Sequence, residues 1–131
     1  MPTSAATVKS AITVYGIPNC NTVKNARNWL DARNIAYAFH DFKKAGVDAA
    51  LVASWLPQLG LDVLINRKGT TWRALDDAQK AAAADTQHAI ALMMAQPSLI
   101  KRPVLTIGGN AYAGFSEAAY EQIFLTSKTA S

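Results

Sequence analysis

The chain carries a single cysteine, Cys20, in the run Ile12-Thr13-Val14-Tyr15-Gly16-Ile17-Pro18-Asn19-Cys20-Asn21-Thr22-Val23-Lys24. An apolar run that ends in a Gly/Pro/Asn turn and delivers a cysteine to the first turn of a helix sets the sulfur beside unpaired backbone N–H groups and the positive end of the helix dipole. Such surroundings favour thiolate over thiol. A lone cysteine is more often a buried, inert one. Here Asn19 and Asn21 flank it with polar groups, and Lys24 lies one helical turn on, close enough to help hold a negative sulfur. Thr22 could donate its hydroxyl to the sulfur or cap the helix, and both readings stay open.

Two arginines share this kind of ambiguity. In Ser98-Leu99-Ile100-Lys101-Arg102-Pro103-Val104 an Arg-Pro pair enters an apolar run, and Arg67 lies in a polar turn, Asn66-Arg67-Lys68-Gly69-Thr70-Thr71. Isolated arginines are usually surface charges. Guanidinium groups also suit an oxyanion or a peptide carboxylate.

The elements that would position these groups follow from periodicity. Ala11 to Tyr15 is β-branched and bounded by Gly16 and Pro18, which predicts a strand. Val23, Ala26 and Leu30 recur at helical spacing over Thr22 to Arg33, and Ile35 to Phe39 reads as a second strand. A helix of that length suits a right-handed crossover, giving an opening βαβ unit of parallel strands. In the middle, Val52, Trp55, Leu56 and Leu59 predict a helix stopped by Gly60; further helical stretches cover Leu61 to Leu75, around the polar turn, and Asp76 to Ala84. Asp85 or Thr86 caps a last piece with Ile90, Met93 and Met94 on one face, ended by Pro97. Val104 to Ile107 and Ala111 to Ala113 flank Gly108-Gly109-Asn110, a hairpin signal, and Ser116 caps a final helix with Phe115 and Tyr120 at hydrophobic-staple spacing.

The order βαβ, helices, ββα is that of an α/β, thioredoxin-like domain: a small mixed four-stranded sheet with a helical insertion between its two halves. Positions 11–125 form one domain on this reading, with flexible tails at 1–10 and 126–131 and no repeat or linker. In thioredoxin-like proteins a cis-proline faces the catalytic thiol at the position of Pro103, which would bring Arg102 to Cys20.

Composition limits the alternatives. The chain has 131 residues, 50% of them hydrophobic, enough for one core without disulfides or metal. One cysteine forms no internal disulfide, and a free thiol suits a reducing cytoplasm. The net charge of +4 is spread out, with no basic run for nucleic acid. No segment reaches the roughly 18 apolar residues of a membrane span, and the first ten positions lack the apolar core of a signal peptide. His40 and His88 lack the Cys/Asp/Glu spacing of a metal site, so no metal or bound cofactor is expected. Trp29, Trp55 and Trp72 read as packing residues.

Several ordered segments resemble the ArsC family, which includes Spx-type proteins and the small YffB-type reductases. They are Tyr15 to Lys24, Leu64-Ile65-Asn66-Arg67-Lys68, Gln96 to Pro103 and Gly114-Phe115-Ser116-Glu117. The resemblance spans Ile12 to about Leu125. It implies a thioredoxin-like fold with a helical insertion, Cys20 as nucleophile, and Arg67 and Arg102 at the positions of two active-site arginines. Glutaredoxin-linked arsenate reductases carry a third arginine where this chain has Gly114; losing a charge-assisted hydrogen bond worth ~1.5–3 kcal/mol weakens oxyanion binding by roughly one to two decades. Spx regulators carry a Cys-x-x-Cys switch, and Val23 replaces its second cysteine. The YffB-type branch shares the Pro-Asn-Cys opening and the Gly-Phe-Ser/Asn-Glu ending, and its members are thought to use glutathione.

The resemblance therefore implies a cytoplasmic, glutathione-dependent thiol-disulfide oxidoreductase. Cys20 forms a mixed disulfide that an external thiol resolves, and Arg67, Arg102, Lys24, Thr22 and Asn19 serve the substrate. Glutathione, with glutaredoxin as a further partner, and a small-molecule or protein disulfide are the expected reactants; nucleic acid and membrane are not expected, and the chain is expected to be a monomer. The alternatives are an arsenate reductase linked to glutathione and glutaredoxin, and an Spx-like regulator that docks on RNA polymerase without a redox switch.

Overall fold

A computed structural model describes residues 12–130. Strand β1 (Ile12–Gly16) leads through a turn into helix α1 (Asn21–Ala32), and β2 (Ala38–Asp41) follows. Five helices come next: α2 (Phe42–Ala45), α3 (Ala49–Leu59), α4 (Leu61–Leu64), α5 (Thr70–Arg73) and α6 (Asp77–Ala82). Helix α7 (Thr86–Ala95), a 3-10 turn (Pro97–Leu99), the hairpin β3 (Val104–Ile107) and β4 (Asn110–Ala113), and α8 (Glu117–Ala130) complete the order. The sheet runs β2-β1-β3-β4, with β1 and β2 parallel and the other neighbours antiparallel. This is the mixed thioredoxin-like sheet, with α2 to α7 inserted between β2 and β3. The tail expected over 1–10 lies outside the described residues; α8 continues past position 125 to Ala130.

Strand alternation divides the core into two layers. Ile12, Val14 and Leu105 point to one face, where Ala26, Trp29 and Leu30 of α1 and Tyr120 of α8 cover them. Tyr15, Val104 and Ala111 point to the other, against Val52 and Trp55 of α3, Leu64 and Met93. Phe115 stacks edge-on to Tyr120 at 4.6 Å, and the Ala119 N–H donates to Ser116 Oγ at 3.1 Å, so the staple and cap at α8 form together.

Two elements differ from their sequence reading. The second strand covers Ala38–Asp41 rather than Ile35 to Phe39, because α1 ends in a Schellman motif: Asn34 adopts φ 56° and the Ile35 N–H donates back to Leu30 O at 3.0 Å. Ile35 packs onto the α1 side of the core instead of entering the ladder. On α7, Ile90 and Met93 are buried but Met94 is 42% exposed, so the apolar face is narrower than expected. Gly60 ends α3 at φ 78°, and Asp76 and Asp85 cap α6 and α7 through their side chains.

Candidate active site

Cys20 is itself the N-cap residue of α1, extended at φ −87° and ψ 126°, with no side-chain capping hydrogen bond of its own. The turn before it closes through the Cys20 N–H donating to Ile17 O at 3.1 Å, and the helix begins with the Lys24 N–H donating to Cys20 O at 2.9 Å. The thiol is partly buried. Burial is the largest single influence on it and pushes its pKa up; the Val23 N–H, the Arg102 guanidinium and the Thr22 N–H together outweigh that, so it ionises below the ordinary thiol range.

Arg102 reaches the thiol by way of chain pairing. Ile65 and Ile100 form an antiparallel bridge, flanked by the Asn66 N–H donating to Leu99 O at 2.8 Å and the Lys101 N–H donating to Leu64 O at 2.7 Å. This clamp ties the polar turn of the insertion to the segment entering β3. The Arg102–Pro103 peptide bond is cis, Pro103 is buried, and its carbonyl accepts from the Gly114 N–H at 2.8 Å. Arg102 Nη1 donates to Ser98 O at 2.8 Å.

The result is an open cavity of about 410 Å³ lined by Cys20, Thr22, Asn66, Lys101, Arg102, Gly114 and Phe115. Cys20, Thr22 and Arg102 line it together, with Pro103 next to Arg102 in the chain. Since Cys20 takes the N-cap position, Thr22 does not cap the helix and instead lines the cavity.

Three expected substrate residues are not brought to this lining. Arg67 donates from Nη1 to Asp62 Oδ1 at 2.8 Å, with its guanidinium 5.5 Å from the Trp72 ring centroid. Lys24 and Asn19 are exposed beside the cysteine turn. Asn66, the residue before Arg67, lines the cavity instead, and so do Lys101, Gly114 and Phe115. Asn66 and Lys101 both lay inside the segments that carried the family resemblance. Only the backbone clamp, which depends on pairing 35 positions apart across Ile65 and Ile100, brings them to the wall of the cavity that Cys20 also lines.

Among the described residues no group of three or more His, Cys, Asp or Glu side chains could hold a metal ion. Both histidines have local bonds: His40 Nε2 lies 2.6 Å from Gly46 O, and His88 Nδ1 lies 2.8 Å from Asp85 Oδ2. No helix among the described residues is long and apolar enough to cross a membrane.

The thiol at the N-terminus of α1 and the Arg102–cis-Pro103 segment thus lie at the same end of the adjacent antiparallel strands β1 and β3. The profile of the ArsC family matches residues 15–123. The chain belongs to the ArsC family. Within reach of that family, a solved structure of a protein named YffB is 47% identical, with a TM-score of 0.79 over 86% of this chain and 97% of that one. An arsenate reductase (ArsC) related protein from Brucella melitensis is 45% identical, with a TM-score of 0.70 over 87% of this chain and 94% of that one. An uncharacterized protein of Haemophilus influenzae is 42% identical over 86% of this chain and 98% of its own length. The YffB likeness agrees with the branch that the Pro-Asn-Cys and Gly-Phe-Ser-Glu segments resemble, and ArsC membership carries the thioredoxin-like fold and a relation to thiol reductases.

Proposed function

We propose that this ArsC-family chain is a thiol-disulfide oxidoreductase that works with glutathione through Cys20 alone. The observation that carries the reading is the lowered thiol pKa at a cavity lined by Arg102 and Lys101 and by no carboxylate. The Cys20 thiolate attacks one sulfur of a substrate disulfide; a Cys20 S–S bond forms, the substrate S–S bond breaks, and the second sulfur leaves as thiolate to take a proton from solvent. With no second cysteine in the chain, the adduct waits for an external thiolate. Glutathione displaces the bound sulfur, and a second glutathione frees Cys20 and leaves as oxidised glutathione. Two glutathione thiols are thereby oxidised for each disulfide reduced.

Helix α1 and Arg102 contribute twice to this cycle. They keep the attacking sulfur anionic, and they stabilise Cys20 again as the leaving thiolate when glutathione resolves the adduct. Mass spectrometry after exposure to oxidised glutathione tests the proposal. One glutathione adduct is expected on the wild type, none on Cys20→Ser, and reduced glutathione should remove it. Absence of an adduct on the wild type sinks the reading. Arsenate supplied with reduced glutathione in a separate incubation tests the oxyanion alternative, which requires two glutathione thiols to be oxidised to the disulfide for each arsenate reduced to arsenite.

A further inference from the structure

Of the two cations lining the cavity, Arg102 is already engaged. Its Nη1 donates to Ser98 O, its Nε is buried without a hydrogen-bond partner, and its guanidinium favours the charged form of the Cys20 thiol. Lys101 is placed differently. Its backbone is fixed by the bond to Leu64 O at 2.7 Å, while its side chain runs along Gly114. A Cβ at Gly114 would come within 3.0 Å of Lys101 Cε and 4.0 Å of Nζ, so the absence of a side chain there keeps the lane for the lysine open. Gly114 also holds φ 81°, a conformation that L side chains rarely adopt.

Charge accounting points the same way. Arg67 pairs with Asp62 and Arg33 with Glu121, but no ion pair of Lys101 occurs among the described residues, and no acidic residue lines the cavity. The thiolate supplies one negative charge against two cations. A compact ammonium on a flexible stem suits a carboxylate whose position varies with its carrier, whereas the fork of Arg102 is held in place. Phe115 adds an apolar wall for the carrier's aliphatic part.

We propose that Lys101, lying along Gly114, makes the cavity select thiol and disulfide co-substrates that bear a carboxylate. The inference rests on the thiol-disulfide reading of Cys20 but not on glutathione as the carrier. The test compares second-order rates of Cys20 with two aromatic disulfides read by their released chromophores: dithiobis(nitrobenzoate), which carries carboxylates, and neutral dithiodipyridine. Lys101→Gln should lower the ratio of the anionic to the neutral rate about fivefold, the scale of one exposed charge pair. Lys101→Arg should restore the ratio. In the wild type the ratio should fall with added salt, and Lys101→Gln should lose much of that dependence. An unchanged ratio in Lys101→Gln overturns the proposal. A wild type that ignores oxidised glutathione yet shows the Lys101-dependent ratio overturns glutathione as co-substrate and supports the role of Lys101. A Cys20 inert to both aromatic disulfides overturns both.

Discussion

At the scale of single residues, the site is a competition over one proton. Burial favours the neutral Cys20 thiol, while the Val23 N–H, Arg102 and the Thr22 N–H favour the thiolate and prevail. The rate of Cys20 alkylation should therefore rise with pH to a midpoint below the ~8.5 of a free cysteine. Arg102→Ala removes the guanidinium that favours the charged sulfur, so its midpoint should move up and its glutathione adduct should form more slowly at neutral pH. A profile unmoved by Arg102→Ala would count against this account. Stability is linked to the same proton. Because the folded thiol ionises at lower pH than the unfolded one, the fold gains stability above the unfolded pKa and loses that gain as pH falls through the folded pKa. Urea midpoints of wild type and Cys20→Ser, measured across that window, should converge on the acidic side and separate on the alkaline side.

Between residues and the whole lies the strand-turn-helix that presents the cysteine. It depends on a close approach: a Cβ at Gly16 would sit 2.7 Å from Val23 Cγ2, and a β-branched valine in a helix has little rotamer freedom to yield. Gly16→Ala should destabilise the protein by about 1–3 kcal/mol through overpacking and slow Cys20 alkylation by displacing the start of α1. In a double-mutant cycle, Val23→Ala should cost less in the Gly16→Ala background than alone, with coupling of about 0.5–3 kcal/mol in urea denaturation. Additive effects would place the cause elsewhere. The cysteine turn was legible in the sequence because its signals are local: Gly16, Pro18 and the Val23/Ala26/Leu30 face specify it within a few positions. The start of the second strand is not legible in the same way, because Ile35, apolar and β-branched, reads as strand, yet closes the end of α1 through Asn34. Asn66 and Lys101 are less legible than Arg67 for a different reason. Which residue of the polar turn lines the cavity beside Cys20 depends on a long-range backbone bridge, and neither composition nor period carries that register.

For the molecule as a whole, the question is whether the inserted helices form a separate unit. The chain leaves the sheet after β2 and returns at β3, and both strands pair with β1, so the insertion is closed off by hydrogen-bonded ladders on the two sides of one strand. Its apolar residues have no independent second sheet: Trp55 lies against Tyr15 of β1 at a ring-centroid distance of 5.0 Å, and Gln58 of α3 bonds both Gly109 O and the Ala111 N–H of the hairpin. On the opposite face Trp29 packs against Tyr120 at 5.5 Å. Both layers thus share the strands, and losing one exposes a face of the same sheet that supports the other. Two-state unfolding follows for a domain of this size. Tryptophan fluorescence and far-UV circular dichroism should give coincident urea transitions. Trp55→Ala should shift both together by about 3–5 kcal/mol, a large part of the roughly 5–15 kcal/mol that holds a domain folded. If Trp55→Ala instead produced an early transition that left the Trp29 signal native, the insertion would be an autonomous unit. In that case the Asn66–Lys101 wall of the cavity could open while Cys20 and α1 stayed folded, and alkylation of Cys20 would persist in urea after the insertion had melted.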